Sequence, residues 1–176
     1  MPTIASTCRS NQAAGFSIIS YQGNGTAGAS IAHNLNSVPG FVIVKNRTTG
    51  VTSPAWGVKH SALYSSSGNW LELETTDTKV NESAGSGSLF DATNPTSSVI
   101  TLGPRNTTNT NGDDYIAYCW TPVFELSAMG SYEGTGSADG AYVHTSFRPA
   151  LVVCKNVDAQ QAWQVYDSAR GTSNVI

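Results

Sequence analysis

Apolar positions along this chain fall in short runs and alternations, each bounded by glycine or by a cluster of polar residues. That pattern reads as strands, and no window carries the 3.6-residue stripe of an amphipathic helix. Strands are predicted at Phe16–Tyr21, Ala29–Asn34, Gly40–Lys45, Ala55–Val58, Trp70–Thr75, Val99–Leu102 and Tyr115–Thr121, then at Ala128–Tyr132, Ala141–Thr145, Ala150–Lys155 and Ala162–Tyr166. The segment Trp70-Leu71-Glu72-Leu73-Glu74 alternates most cleanly, without saying which face is buried. Phe41–Val44 and Leu151–Cys154 are continuous apolar runs, the pattern of central strands covered on both faces. Gly23-Asn24-Gly25 and Gly134-Thr135-Gly136 supply turns, and Pro39 and Pro149 open the apolar runs. Asn81–Ser88 and Pro104–Asp114 read as loops. The second is the most hydrophilic stretch of the chain and is predicted to project into solvent. Residues 1–14 show no periodicity and read as a flexible or partner-dependent arm. The expectation is an all-β, sandwich or jelly-roll architecture.

The same signals occur twice. Ser20-Tyr21-Gln22-Gly23-Asn24-Gly25 returns as Ser131-Tyr132-Glu133-Gly134-Thr135-Gly136, and His33 returns as His144. After a one-residue deletion, Pro39, Phe41–Val44, Lys45 and Asn46 return as Pro149, Leu151–Cys154, Lys155 and Asn156. Trp56, Val58, Ser61 and Ala62 recur as Trp163, Val165, Ser168 and Ala169. One supersecondary unit has been used twice. Nothing in the second copy matches Trp70–Pro122, so the expected organisation is an arm (1–14), a complete unit (15–126) and a partial unit (127–176).

Composition narrows the function classes. The chain has 176 residues, of which 39% are hydrophobic, only 12% charged and 17 glycine. Ser, Thr, Asn and Gly make up the difference, which suits many short strands and turns and is poor for helices. A net charge of −3 with no basic cluster leaves no footprint for a phosphate backbone, so nucleic acid is not an expected partner. No apolar run approaches the ~18 residues of a spanning helix, so no membrane insertion is expected. The N-terminus has no basic segment leading into an apolar one, so it does not read as a secretory signal. The three cysteines, Cys8, Cys119 and Cys154, form an odd and sparse set, and Cys119 and Cys154 lie in apolar runs and read as small buried hydrophobes rather than a disulfide framework, which points to synthesis in a reducing cytoplasm. Sequons at Asn24, Asn46, Asn81 and Asn106 are what this composition produces anyway.

Candidate chemistry is sparse. His33 and His144 hold equivalent positions, where a ring bonded to backbone at a strand end explains them better than a ligand or base. His60 becomes Asp167 in the second copy, which argues against a shared catalytic role. Asp113-Asp114 after Asn111-Gly112 lacks the EF-hand spacing and reads as a turn, so no metal is expected. Gly23-x-Gly25-x-x-Gly28 matches a dinucleotide fingerprint formally, but no helix follows it and no cofactor is expected. Glu72, Glu74, Asp77 and Glu82 are the acids a depolymerase would need as a spaced pair, though their alternation also explains them as a solvated edge. Trp56 and Trp163 read as core anchors of the repeat. Tyr64 and Trp70, flanking the Ser-Ser-Ser-Gly-Asn turn, are the better candidates for ligand contact.

Gly15-Phe16 through Tyr21, Gly23-Asn24-Gly25 and Gly28, His33, Val38-Pro39, Phe41–Val44 and Lys45-Asn46-Arg47, followed by Asn111-Gly112 and Tyr115–Trp120, resemble a repeated β-module. The module occurs in bacteriophage tail-fibre and other virion proteins, chiefly of marine phages. Gly130–Gly140 with Phe147-Arg148-Pro149-Ala150 resembles a second variant of the same module, so the likeness spans residues 15–170. It implies a non-enzymatic virion protein made in the host bacterial cytoplasm. The partners it implies are other virion proteins, a homotrimer and a host-surface glycan or protein receptor. A capsid decoration or head-fibre protein is the nearest alternative, and a carbohydrate-active depolymerase the more distant one.

Overall fold

A computed structural model describes residues 1–48, 50, 55–85 and 87–169, with 171–175 as backbone. Twelve strands and one 3₁₀ turn (Ser61–Leu63) make it all-β. The main layer is an antiparallel sheet ordered β1 (Ser6–Asn11), β2 (Phe16–Gln22), β9 (Asp114–Trp120), β4 (Phe41–Asn46), β5 (Trp56–His60), β6 (Asn69–Glu72) and β7 (Val80–Asn81). A hairpin-like pair, β3 (Ala29–Ala32) with β8 (Val99–Leu102), belongs to the layer over one face. A separate sheet holds β10 (Leu151–Cys154), β11 (Gln164–Asp167) and β12 (Gly171–Val175).

Alternation sorts the large sheet into two faces. Val42 and Val44 of β4, Ala117 and Cys119 of β9, Ile19 and Tyr21 of β2 and Trp70 of β6 join Ile31, Ile100, Leu89 and Phe90 in the main core. The intervening residues, Ile43, Val58 and Leu71, form a second core with Leu63 and Trp163. β4 therefore has both faces covered, as its continuous apolar run predicts. Gly57 permits the close cover over the first face: a Cβ there would meet Leu89 Cδ2 at 2.7 Å.

Four expectations are corrected. Residues 1–14 are not a loose arm, because β1 pairs β2 residue for residue from Ser6↔Tyr21 to Asn11↔Phe16. Ile4 is buried and the Cys8 thiol donates to Ala32 O, and so few inward apolar residues leave no visible period. The hydrophilic loop 104–114 does not project: Thr107, Thr108 and Asn109 are buried. Asn109 accepts from Asn24 N at 2.9 Å and donates to Thr26 O at 2.9 Å, and Tyr21 OH donates to Thr108 O at 2.6 Å. Polar side chains here replace water for the turns they cover. Neither Ala128–Tyr132 nor Ala141–Thr145 is a strand. Finally, β10 is not buried on both faces, since Leu151, Val152 and Val153 are exposed.

Candidate functional site

Register builds a row of rings that local sequence does not display. Phe16 stands opposite Trp120, Trp120 opposite Phe41, and Phe41 opposite His60, so four strands contribute one ring each to a line across the second face. The centroids lie 4.9 Å apart for Phe16–Trp120, 5.4 Å for Phe41–Trp120 and 5.8 Å for Phe41–His60, with Tyr118 6.4 Å from Trp120. All five residues are half-buried. The row is apolar in the middle and ends at an imidazole whose pKa burial pushes down, so His60 serves as a neutral acceptor for Ala62 N. A neutral aromatic row of this kind can pack against apolar side chains or sugar faces. Only the pairing of Phe16, Phe41 and Trp120 through strands distant in sequence could have revealed it.

Trp70 lies elsewhere and offers no surface. It is 3% exposed in the main core, with the Arg105 guanidinium 5.1 Å from its ring centroid. Tyr64 is half-buried and donates its hydroxyl to Pro39 O at 2.6 Å, and burial raises its pKa. Trp70 is thus corrected from a ligand contact to part of the packing, while Tyr64, across the turn of residues 65–69, keeps a half-buried ring with its hydroxyl engaged. Lys59 donates to Ser67 O at 2.5 Å and Asn69 O at 2.8 Å and so ties that turn to the sheet. Burial lowers the Lys59 pKa to about 8.

The remaining candidates are accounted for by neighbours. His33 is buried, with Nε2 3.1 Å from Thr96 O and Nδ1 accepting from Leu35 N, as the backbone-bonded reading expects. His144 differs: it is exposed, 3.0 Å from Ser146 Oγ and 3.4 Å from Tyr142 OH. Glu74 accepts from Trp56 N, Glu82 pairs with Arg105 at 2.9 Å, and Asp77 accepts from Gln160 Nε2 at 3.2 Å. Glu72 has its pKa raised by burial, and by Glu74 next. Asp113 accepts from Asn46 Nδ2 at 2.8 Å, within a network that includes the Tyr115 hydroxyl. The three cysteines are free thiols, and burial pushes Cys119 up to about 12. Among the described residues no group of three His, Cys, Asp or Glu side chains is placed to hold a metal ion. No helix among them is long and apolar enough to cross a membrane.

The second unit presents the other candidate surface. Its hairpin tip docks on the first unit: Trp163 is buried in the second core and donates Nε1 to Glu72 O at 3.0 Å, while Val157 O accepts from Lys79 N. The Lys79–Asp158 ion pair and Lys155 Nζ donating to Thr76 O complete the contact. Beyond that tip, Tyr132, Tyr142, Val143, Leu151, Val152 and Val153 are exposed, with Tyr142 at 89%, as are Phe124 and Leu126 at the end of the first unit.

The chain belongs to a family described as a domain of unknown function, DUF7483, whose model matches residues 2–176. No curated protein and no solved structure matches it.

Proposed function

We propose that the protein is a non-enzymatic structural component of a phage virion, a tail-fibre or appendage module that assembles with other virion proteins and contributes to host-surface attachment. The observation that carries this reading is the second unit, which reproduces a strand arrangement of the first while leaving Tyr132, Tyr142, Val143 and Leu151–Val153 exposed. A protein that functions alone rarely keeps such a surface; one that is a piece of an assembly needs it. The resemblance of residues 15–170 to repeated virion modules supports the same reading, with a homotrimer as the expected assembly. The half-buried aromatic row of Phe16, Trp120 and Phe41 suits contact with a glycan or apolar receptor group.

The capsid-decoration alternative draws on a free N-terminal arm. That support is gone, because β1 is a full partner of β2. The test is direct. Antibody against the chain should label purified particles at the tail or its fibres in electron micrographs, and block their adsorption to host cells. Labelling of the head would favour the decoration reading, and particles free of the chain would overturn both.

A further inference from the structure

The face of the main sheet that carries Phe16, Trp120 and Phe41 runs on toward the opposite strand ends and changes character there. Alternation puts Ile18 and Ser20 of β2, Tyr118, Ile116 and Asp114 of β9, Arg9 and Thr7 of β1 and Lys45 of β4 on it. Trp163 seats on the β4–β6 side of this face, against Ile43, Val58 and Leu71. On the β1–β2–β9 side Phe16, Ile18, Ile116 and Tyr118 are half-buried, and Thr7, Arg9, Ser20 and Asp114 are exposed. The surface thus passes from rings at one end to hydroxyls and charges at the other.

A cleft of about 450 Å³ lies at that polar end, with Thr7, Ser20, Arg47 and Asp114 in its lining. Register sets the two hydroxyls side by side, Thr7 opposite Ser20. Arg47 N donates to Asp114 O at 2.7 Å, so a guanidinium and a carboxylate leave neighbouring backbone positions. Their side chains nonetheless form no ion pair. Among the described residues neither charged group has a hydrogen-bond or ion-pair partner, whereas Arg105 is paired with Glu82 and Lys79 with Asp158. In a chain of net charge −3, the cations Arg9, Lys45 and Arg47 gather here around Asp114. Opposite charges held apart in one cleft suit a ligand that brings both an anion and hydrogen-bond donors.

We infer that this face binds an acidic oligosaccharide, with a uronate residue in the cleft and the sugars that follow laid along β2 and β9 toward the rings. This rests on the host-surface attachment read above. The guanidinium fork of Arg47 matches a planar carboxylate through two parallel N–H bonds. Asp114 accepts from ring hydroxyls, and the hydroxyls of Thr7 and Ser20 serve as donors or acceptors beside it. A neutral sugar leaves Arg47 without a counter-charge. A sulfate ester takes the place of a hydroxyl from which Asp114 would accept, while a uronate keeps its ring hydroxyls. From Ser20 back to Phe16 is four residues, about 14 Å at the rise of a strand, which a short oligosaccharide spans and a single sugar does not. Tyr118 and Trp120, with centroids 6.4 Å apart and planes 24° from parallel, offer ring faces along that path.

The test titrates the intact chain with tetragalacturonate and, separately, with tetramannuronate, following tryptophan fluorescence and calorimetry. At least one should bind saturably, and about tenfold or more tightly than maltotetraose or a sulfated tetrasaccharide. No binding of either uronate would overturn the proposal, as would equal binding of the neutral or the sulfated sugar. Arg47→Ala should weaken binding by about tenfold or more. Asp114→Ala is the sharper variant. It should also weaken binding, because the sugar hydroxyls lose their acceptor. Tighter binding, the result of merely removing a like charge near an anion, would overturn the site. Both side chains are exposed, so both variants should keep the wild-type melting curve. The uronate disaccharide should bind several-fold more weakly than the tetrasaccharide, and affinity independent of length would refute the path along the strands. Failure of binding with particles labelled at the tail removes this site and leaves the virion reading standing. Binding with no particle labelled does the reverse.

Discussion

Phe41–Val44 and Leu151–Cys154 are the same hydrophobic run in the same hairpin register, yet Val42 is 0% exposed and Val152 is 39% exposed. Local sequence makes the hairpin in both places. Burial comes from what lies beside and above it: β9 along the edge of β4, and Leu89, Phe90 and the β3–β8 pair over its face. The comparison separates two properties that a sequence reading tends to merge. An apolar run says that a strand has something to bury, and says nothing of whether its cover is in the same chain.

The strongest break in the comparison is a charge at the matched position. Val42→Asp should prevent cooperative folding, costing more than about 4 kcal/mol, because a carboxylate would be buried in the apolar main core beside Cys119, and the Lys59 ammonium opposite could reach it only by leaving the carbonyls of Ser67 and Asn69. Val152→Asp should change stability by less than about 0.5 kcal/mol, since water already reaches that side chain. Urea unfolding followed by circular dichroism reads both, and equal costs would end the distinction between the units.

Next in size is Trp163→Ala, which removes the anchor that seats the second unit on Ile43, Val58 and Leu71. A loss of about 3 kcal/mol is expected. Hydrogen exchange should show it in β10–β12 first, whereas Trp56→Ala, at the half-buried counterpart, should cost about half as much.

Lys59→Ala orphans the carbonyls of Ser67 and Asn69 and should cost about 2 kcal/mol at neutral pH. The pH dependence identifies the charge itself. Lys59 in the fold titrates at about 8 but in the unfolded chain at its ordinary 10.5, so between those values the unfolded state holds more protons. This group's contribution to stability therefore rises with pH over that window. Cys119 works in the opposite sense above pH 9, holding its proton in the fold up to about 12. The difference between wild type and Lys59→Ala isolates the lysine, and parallel curves from pH 8 to 10.5 would refute the assignment.

The smallest effect concerns the paired histidines. His33→Ala should cost about 1 kcal/mol through loss of the Thr96 contact, and His144→Ala close to nothing. Burial lowers the His33 pKa, so its neutral form belongs to the fold and stability should fall as pH drops below about 6.5. His33→Ala should flatten part of that fall.

Strand identity was legible wherever side chains carried it. The runs at Phe16–Tyr21, Phe41–Val44, Val99–Leu102 and Tyr115–Trp120 are strands, and the duplicated Gly25 and Gly136 both take positive φ. The candidate surface was less legible. Trp70 looks exposed beside a Ser-rich turn, but its indole lies in the main core under the Arg105 guanidinium. β1 escaped because Ser6–Asn11 has almost no apolar content, and pairing with β2 supplies the order that composition does not.

By itself the sequence determined the all-β class, the repeat and the shared hairpin register, since each depends on residues close along the chain. The tertiary structure alone decided which copies of those elements are buried, where Phe16, Trp120, Phe41 and His60 meet, and which strand edge stays open. Those depend on β9 entering between β2 and β4 from far along the chain. Burial is a property of neighbours, and a segment repeated in sequence does not bring its neighbours with it.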